Sequence, residues 1–274
     1  MDITSREYSE FQVFLRQSCG IEIGENKQYL VKNRLMAVLK EFDLASFSEL
    51  LKHLNKGSGY SGRLQSRVVD AMTTNETFWF RDDTQFTALQ HEVFPDIFLQ
   101  KKGVIKVWSA ACSSGQEPYT ISMCVEQLAK DKGIKHNVQI VGTDISETIL
   151  NEARTALYSE MAVSRGVTNS IYASYFQQGS TGYQLRPEVM RRVRFQHLNL
   201  LQSFAALGKF DVVFCRNVLI YFSDQVKRDI LRRLIDALEP GGYLFLSSTE
   251  SIPMGMKNVV PVRGKRARYF QKVS

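Results

Sequence analysis

Apolar residues in the first 72 positions recur at intervals of three and four, the spacing of buried faces on helices. Two capping boxes, Thr4-x-x-Glu7 and Ser46-x-x-Glu49, mark helix starts, and Gly20 provides a stop for the first helix. The same spacing predicts further helices over about Lys27–Lys40 and Arg63–Ala71. We therefore predict a small all-α domain at the N-terminal end of the chain.

Beyond about residue 91 the pattern changes to short apolar runs that alternate with amphipathic segments. Five runs are predicted as strands: Ile105–Ser109, Val138–Thr143, Val193–Gln196, Phe210–Cys215 and Tyr243–Ser247. The predicted helices are Glu117–Asp131, Glu147–Ala156 and Asp224–Leu238, the last followed by the stop signal Glu239-Pro-Gly-Gly242. Alternation of this kind predicts an α/β fold with a doubly wound, mostly parallel sheet.

The chain ends in two further apolar runs, Val259–Val262 and Ala267–Lys272, joined by a turn that contains Gly264. They predict a terminal antiparallel hairpin, which by fold analogy is the arrangement of class I methyltransferases. The long connection 157–192, in which Gly179–Gly182 resembles a hairpin turn, predicts an inserted subdomain. The predicted division is a helical domain 1–72, a linker 73–91, and an α/β domain 92–274.

Composition narrows the class of protein. The 274 residues are 44% hydrophobic and 23% charged, with no run of about 18 apolar residues for a membrane span and no secretory pattern in MDITSREYSE. The four cysteines and four histidines lack ligand spacing, so we expect reduced thiols and no metal. We expect a cytoplasmic monomer that does not insert into a membrane.

The positive charge is concentrated away from the N-terminal region. Residues 1–90 carry a formal net charge of −1, whereas the remainder carries +8, with clusters at Arg186–Arg194, Lys227–Arg233 and Arg263–Arg268. Such a surface favours an acidic partner, and both nucleic acid and an acidic protein surface fit that description. No known nucleic-acid-binding motif accompanies the charge, so we expect no nucleic-acid partner.

The segment Val107-Trp-Ser-Ala-Ala-Cys-Ser-Ser-Gly-Gln-Glu-Pro-Tyr119 passes from a strand through small residues into a helix. Ligands of doubly wound sheets lie beyond the carboxyl ends of the strands, so the loop Ala110–Glu117 is a candidate cofactor loop. Its single glycine argues against the pyrophosphate of a dinucleotide. Glu117 would repel a phosphate and could accept from a ligand ammonium, or it could equally complement the helix dipole.

Polar residues follow the other predicted strands at the same edge of the sheet. Asp144 ends the second strand and could bind ribose hydroxyls, although Asp144-Ile-Ser146 could equally be a helix cap. Asn199 follows the third strand and could bond an adenine edge or close a turn. Arg216 and Asn217 follow the fourth strand. Tyr221 could project into the site, although the pattern alone favours a core aromatic pair, Tyr221-Phe222.

The segment Thr73–Arg81 joins the two regions and contains three consecutive aromatic residues. A purely structural linker would hold the domains together through these rings. A functional linker would place Asn75, Thr77 and Arg81 over the crevice at the strand ends.

Five blocks of the sequence resemble, in the same order, the signature blocks of the CheR family of chemotaxis protein methyltransferases: TTNETFWFR, VWSAACSSGQEPYTI, VGTDIS, LNLL and FDVVFCRNVLIYF. The resemblance implies S-adenosylmethionine as methyl donor and S-adenosylhomocysteine as product. It implies glutamate side chains on the cytoplasmic helical region of bacterial chemoreceptors as acceptors. It further implies that the linker 73–91 contributes to the active site of a catalytic domain 92–274, and that the insertion 157–192 is a small β-subdomain. In some members this subdomain docks a receptor's C-terminal peptide.

The resemblance also implies which residues form the site. Those expected to line the cofactor are Asn75, Thr77, Arg81, Glu117, Asp144, Asn199, Leu200, Arg216 and Asn217. Arg81 and Tyr221 are expected nearest the transferred methyl. In the family the second helix often carries several arginines that meet the acidic receptor. Here three basic residues remain, and two other positions lack the basic residue that would be expected: Lys32, Arg34 and Lys40, against Ala37 and Val38.

Three alternative functions are weaker. A small-molecule O- or N-methyltransferase on the same fold has no need of the helical domain or the basic surface. A non-catalytic adaptor would have no reason to retain the polar residues of the cofactor site. A nicotinamide dehydrogenase requires a different glycine pattern.

Overall fold

The computed structural model describes residues 2–55, 59–133 and 136–273, and its N-terminal part is a four-helix bundle. The helices are α1 (Ser5–Cys19), α2 (Gln28–Glu41), α3 (Phe47–Leu54) and α4 (Gly59–Met72). The capping box predicted at Thr4 is formed: the Thr4 hydroxyl accepts from the Glu7 N–H, and the Thr4 N–H donates to the Glu7 carboxylate. Gly20 ends α1 with φ 77°, a left-handed conformation that glycine adopts without strain.

The second helix presents fewer basic residues to solvent than the sequence indicated. Val38 is buried in the bundle core, so this position is not available for a solvent-facing base. The Arg34 guanidinium points to the following linker and donates to the carbonyl oxygens of Met72 and Thr73 at 2.6 and 3.1 Å. Lys32 forms an exposed ion pair with Asp2. Two of the basic side chains of this helix, Lys32 and Arg34, therefore bind groups within the chain and are less available to a partner.

A helical segment that the sequence analysis missed precedes the sheet. It consists of α5 (Asp83–Ala88), a π-helical turn (Leu89–Val93) and α6 (Phe94–Gln100), and it begins inside the range predicted as linker. Phe86, Leu89 and Phe94 are buried against the sheet. The buried Phe86, Leu89, Val93 and Ile97 recur at intervals of three and four, so the helical spacing was present in the sequence. The domain boundaries drawn from the sequence stay predictions.

The remaining elements follow in alternation along the chain. They are β1 (Ile105–Ala110), α7 (Gln116–Lys132), β2 (Val138–Asp144), α8 (Glu147–Thr155), β3 (Leu157–Tyr158), α9 (Glu160–Ser164), α10 (Asn169–Tyr175), β4 (Phe176–Gln178), β5 (Tyr183–Leu185), α11 (Pro187–Met190), β6 (Val193–His197), β7 (Phe210–Cys215), α12 (Asp224–Asp236), β8 (Leu238–Phe245), β9 (Val259–Arg263) and β10 (Arg268–Lys272). Short 3₁₀ turns lie at Ala205–Leu207 and Leu219–Tyr221.

Seven strands form the main sheet in the order β6-β2-β1-β7-β8-β10-β9. The first five strands are parallel, and β10 pairs antiparallel with both β8 and β9. Alternate residues of β7 face opposite sides, since Val212 and Phe214 join one core and Val213 and Cys215 the other. The predicted α/β fold with its terminal hairpin is confirmed. Among the described residues, no helix combines the length and apolar character needed to cross a bilayer.

The start of β8 differs from the prediction. The sequence Glu239-Pro-Gly-Gly242 suggested a stop between helix and strand, but α12 ends at Asp236 and β8 begins at Leu238. Phe210 of β7 lies opposite Leu238 and Val212 opposite Tyr243, so 239–242 form a bulge within the strand. A Cβ on Gly242 would approach the Glu239 carbonyl oxygen to 2.9 Å. The glycines therefore permit a tight bulge rather than ending an element.

The insertion 157–192 is a subdomain with its own three-stranded antiparallel sheet, in the order β3-β5-β4. The hairpin turn predicted at Gly179–Gly182 joins β4 to β5, and the Gly179 N–H donates to the Gly182 carbonyl oxygen at 2.8 Å. Three short helices accompany these strands, so the subdomain is more helical than its sequence suggested.

Trp79 joins the subdomain to the linker. Its indole is fully buried, with the rings of Tyr158 and Phe176 at 4.8 and 5.2 Å in edge-on contact. The main-chain N–H of Trp79 donates to the Arg165 carbonyl oxygen at 3.2 Å. At Gly166, with φ 98°, a Cβ would lie 2.0 Å from the Trp79 carbonyl oxygen. The linker and the subdomain therefore meet through direct backbone contact that only glycine allows at this position.

Replacing Trp79 tests this packing. We expect Trp79→Ala to lower the free energy of unfolding by about 3–5 kcal/mol, because it leaves a cavity between linker and subdomain. Trp79→Phe should cost less than about 1.5 kcal/mol, because the indole N–H has no hydrogen-bond partner among the described residues. Urea unfolding measures both, with the exposed Leu99→Ala as control. Equal costs for Phe and Ala would contradict the packing argument.

Candidate cofactor and acceptor site

A single cleft lies at the carboxyl ends of the parallel strands, with an empty volume of about 1060 Å³. All ten residues predicted for the site line it: Asn75, Thr77, Arg81, Glu117, Asp144, Asn199, Leu200, Arg216, Asn217 and Tyr221. They come from the linker, from α7 and from the ends of the three strands β2, β6 and β7, so the fold brings together residues up to about 150 positions apart. The roles assigned to each of them stay predictions.

The loop between β1 and α7 forms one wall of the cleft through unusual backbone geometry. Ala111, Ser113 and Gly115 have φ values of 57°, 51° and 91°. A Cβ on Gly115 would lie 3.1 Å from the Cβ of Ala153, so the loop packs tightly on α8. The Cys112 N–H donates to the Thr143 carbonyl oxygen at 2.9 Å. The small residues seen in the sequence thus permit a strained loop whose backbone borders the cleft.

Asp144 fixes this loop from the end of β2. Its carboxylate accepts from the N–H groups of Ser113 and Ser146 at 2.9 and 3.0 Å. The segment Asp144-Ile-Ser146 does cap helix α8, as the sequence allowed, because the Ser146 hydroxyl accepts from the Ile149 N–H. Burial raises the pKa of the Asp144 carboxyl. Each carboxylate oxygen has a further lone pair with which to accept from a ligand hydroxyl.

A cluster of three charged side chains, Arg216, Glu117 and Asp82, borders the cleft, and Arg216 and Glu117 line it directly. Arg216 donates to the Glu117 carboxylate at 2.8 Å and to the Asp82 carboxylate at 2.9 Å, and it also donates to the Arg81 carbonyl oxygen. The second Glu117 oxygen accepts from the Ser109 hydroxyl at 2.7 Å. Glu117 therefore does more than complement the dipole of α7. With one guanidinium and two carboxylates, the cluster favours a ligand that carries positive charge.

The loop after β7 depends on Glu250, which the sequence analysis missed. The buried Glu250 carboxylate accepts from the N–H groups of Asn217, Leu219 and Ser247 at 2.9, 2.9 and 3.1 Å. Asn217 itself has φ 58°, a conformation that this capping stabilises. A polar residue soon after β8 follows the same strand-end pattern that identified Asp144, and that pattern was the available signal.

Tyr221 and Phe222 separate rather than forming a core pair. Both side chains line the cleft, but Phe222 is buried and belongs to the hydrophobic core, whereas Tyr221 is half-buried. The Tyr221 carbonyl oxygen accepts from the Glu22 N–H of the helical domain at 2.9 Å. The structure therefore places Tyr221 where a reacting group could meet it, against the preference of the pattern alone.

Asn199 closes a turn and holds the helical domain. Its side-chain NH₂ donates to the Ser18 carbonyl oxygen at 2.7 Å, and its side-chain oxygen accepts from the Leu201 N–H at 3.0 Å. The following Leu200 supplies apolar lining. Asn199 therefore closes a turn, which was one of its two expected roles. One hydrogen of its amide group remains for a ligand, so the other role stays a prediction.

The linker passes over the cleft and contacts both domains. The Asn75 carbonyl oxygen accepts from the Ser113 hydroxyl at 2.8 Å, which joins the linker to the β1–α7 loop. Arg81 donates to the Glu76 carbonyl oxygen at 3.0 Å, and its guanidinium lies 5.4 Å from the centre of the Phe78 ring. Such stacking restrains a long side chain that would otherwise be mobile. The structure therefore places Asn75, Thr77 and Arg81 of the linker at the cleft, and their function stays a prediction.

The end of α1 also reaches the cleft, although the sequence gave no sign of it. Cys19, Ile21 and Met72 of the helical domain line the cavity. A Cβ on Gly20 would lie 3.0 Å from the side chains of Leu201 and Phe222, so glycine allows close contact there. The helical domain thus completes one side of the site.

Comparison with known proteins places this geometry in context. Residues 75–268 match the family model described as CheR methyltransferase, SAM binding domain, and residues 6–73 match CheR methyltransferase, all-alpha domain. The chain is 45% identical over 256 residues to chemotaxis protein methyltransferase Cher2 of Pseudomonas putida and, equally, to chemotaxis protein methyltransferase 1 of Pseudomonas aeruginosa. Each alignment covers 92% of this chain and 92% of the relative. Among solved structures, magnesium protoporphyrin IX methyltransferase from Synechocystis with bound SAM is similar at TM-score 0.40 and 15% identity, over 88% of this chain and 97% of that one.

The matched domain identifies S-adenosylmethionine as the cofactor. The cleft fits this molecule, which carries an ammonium and a sulfonium but no phosphate. The cluster of Arg216, Glu117 and Asp82 has a net negative charge, and Asp144 can accept from ribose hydroxyls. The loop Ala110–Glu117 lacks the glycines of a pyrophosphate site.

Asp144 offers a direct test of the cofactor site. We expect Asp144→Asn to weaken S-adenosylmethionine binding by about 10- to 100-fold, because hydrogen bonds to a charged acceptor contribute about 1.5–3 kcal/mol. Titration calorimetry measures the affinity, and Asp131→Asn, at the exposed end of α7, is the matched control. Wild-type affinity in a folded Asp144→Asn variant would show that this carboxylate does not bind the cofactor.

Proposed function

Because the chain belongs to the CheR methyltransferase family, we propose that it transfers a methyl group from S-adenosylmethionine to glutamate carboxylates of bacterial chemoreceptors. The products are glutamate methyl esters and S-adenosylhomocysteine. The acceptor would lie on the cytoplasmic helical region of the receptor, and the methylation would serve chemotactic adaptation.

The observation that carries this proposal is the placement of Arg81. Its guanidinium is held at the cleft by the Phe78 ring and the Glu76 carbonyl oxygen, while its main chain is tied to Arg216. A guanidinium offers five N–H donors in a planar fork that matches a carboxylate. Arg81 can therefore hold an acidic side chain at the edge of the cofactor cleft. A small neutral acceptor would gain nothing from it.

The chemistry of a carboxylate acceptor agrees with the residues present. When bound, S-adenosylmethionine supplies an electrophilic methyl group. A glutamate carboxylate is ionised near neutral pH, so the site needs no general base to activate it. Arg81 would orient the carboxylate, and Tyr221 would exclude water and donate a hydrogen bond from the other side. Alignment of the two reactants in a dry cleft supplies much of the acceleration.

Receptor specificity would arise outside the cleft. Both edges of the subdomain sheet, β3 and β4, are strands whose outer sides pair with no other strand among the described residues. An edge strand can add an extended peptide by main-chain hydrogen bonds. We propose that a receptor's C-terminal peptide, where one exists, docks at this subdomain.

Methyl transfer to receptor fragments tests the proposed function. The purified protein is incubated with methyl-labelled S-adenosylmethionine and receptor cytoplasmic fragments, with and without their C-terminal peptides. We expect label in protein that mild base releases as methanol, since methyl esters are base-labile. A fragment with its methylated glutamates replaced by alanine is the control. Label that resists base, or none on any receptor fragment, would contradict the proposal.

Arg81→Ala tests the acceptor role. We expect turnover to fall at least about 100-fold, because small losses of alignment at a reacting centre have effects of that order. The melting temperature should change little, since Arg81 is half-exposed. Arg6→Ala on the exposed face of α1 is the control for loss of a surface arginine. Wild-type ester formation by a folded Arg81→Ala variant would refute the role.

A further inference from the structure

A second arginine, contributed by the inserted subdomain, lies over the same Phe78 ring as Arg81, and Phe78 itself lines the cleft. The guanidinium of Arg165 lies 5.1 Å from the centre of the Phe78 ring, and that of Arg81 lies 5.4 Å from it. The two guanidinium groups are therefore no more than about 10.5 Å apart. Arg165 donates to the carboxylate of Glu76 at 3.0 Å. The linker residue Glu76 is thus paired with the subdomain residue Arg165 near the place where an acidic acceptor would approach.

The ion pair is not what positions Arg165. The Arg165 carbonyl oxygen accepts from the main-chain N–H of Trp79, and the next residue, Gly166, packs directly on the Trp79 carbonyl. Buried rings around Trp79 hold this junction. The backbone at Arg165 is therefore fixed by contacts that would survive loss of the Glu76 carboxylate.

The pair is also weak enough to exchange. The Arg165 and Glu76 side chains are 50% and 64% exposed, and exposed pairs of this kind contribute about 0–1 kcal/mol. A carboxylate from a partner would replace Glu76 with a group of the same chemistry. The Phe78 ring would continue to hold the guanidinium during the exchange.

We propose that Arg165 is a second carboxylate-binding position for an acidic helical acceptor, and that Glu76 occupies it in the free protein. The inference rests on the proposed function, in which the acceptor is a receptor glutamate. Two carboxylates one helical turn apart, separated by about 5.4 Å along the helix axis, could meet Arg81 and Arg165 together. Arg165 then selects helices with a second acidic residue beside the methylated one, and Glu76 competes with that residue.

Opposite effects of two substitutions test this arrangement. With a receptor cytoplasmic fragment as substrate, Glu76→Gln should lower KM by about two- to fivefold, because a competing charge worth up to about 1 kcal/mol is removed. Arg165→Gln should raise KM by about five- to tenfold, and Arg165→Lys should restore part of the loss. Glu76→Gln should have no effect when combined with Arg165→Gln. These effects should fall on KM rather than kcat and should shrink in high salt.

A purely structural ion pair predicts a different result. Glu76→Gln and Arg165→Gln would then both lower the melting temperature and both raise KM, which would overturn the inference. Additive effects in the double variant, or an unchanged KM in Arg165→Gln, would overturn it as well. Asp229→Asn, which removes a carboxylate paired with arginines on α12, is the control and should leave KM unchanged. If wild-type protein fails to methylate any receptor fragment, the proposed function fails; if it methylates normally and the variants do not diverge, only this inference fails.

Discussion

The site is organised around one buried positive charge, the guanidinium of Arg216. Its side chain is only 2% exposed, and removing a guanidinium from water is costly unless charged partners replace the water. Here Glu117, Asp82 and the Arg81 carbonyl oxygen accept its N–H groups, and the Phe86 ring lies 5.4 Å away. Loss of one partner would leave a buried charge uncompensated, so these separate segments must fold into place together. The cofactor cleft exists because they do.

The linker is held in place by the contacts of Arg216 at one end and by contacts with the helical bundle and the subdomain along its length. Arg34 of the helical bundle holds its beginning, Trp79 anchors its middle in the subdomain, and Asp82 reaches Arg216 at its end. Residues 73–82 therefore have almost no conformational choice, although they contain little regular structure. This explains how a segment outside the sheet can present Arg81 at a defined place. Rigid support is what separates a catalytic loop from a mobile one.

The position of the site in the fold could largely be predicted from sequence, because ligands of doubly wound sheets lie beyond the carboxyl ends of the strands. The polar residues Asp144, Arg216 and Asn217 follow buried strands, and the carboxyl ends of parallel strands share one edge. Which side chain bonds to which could not be predicted, since the partnership of Arg216 with Glu117 joins positions 99 residues apart. The same holds for Asn199, whose amide is taken by Ser18 of another domain. Local patterns place residues near a site, whereas tertiary contacts decide their hydrogen bonds.

The distribution of charge across the cleft matches the proposed reaction. Asp144 and the net negative Arg216 cluster lie at the strand ends, whereas Arg81 and Arg165 lie over the Phe78 ring of the linker. A cationic donor is favoured by the first group and an anionic acceptor by the second, so each reactant is drawn to its own position. Both charges disappear as ester and thioether form, and a reaction that consumes charge is favoured where water is excluded. In the proposed reaction, the apolar lining from Leu200 and the helical domain would contribute to rate by excluding water from the cleft.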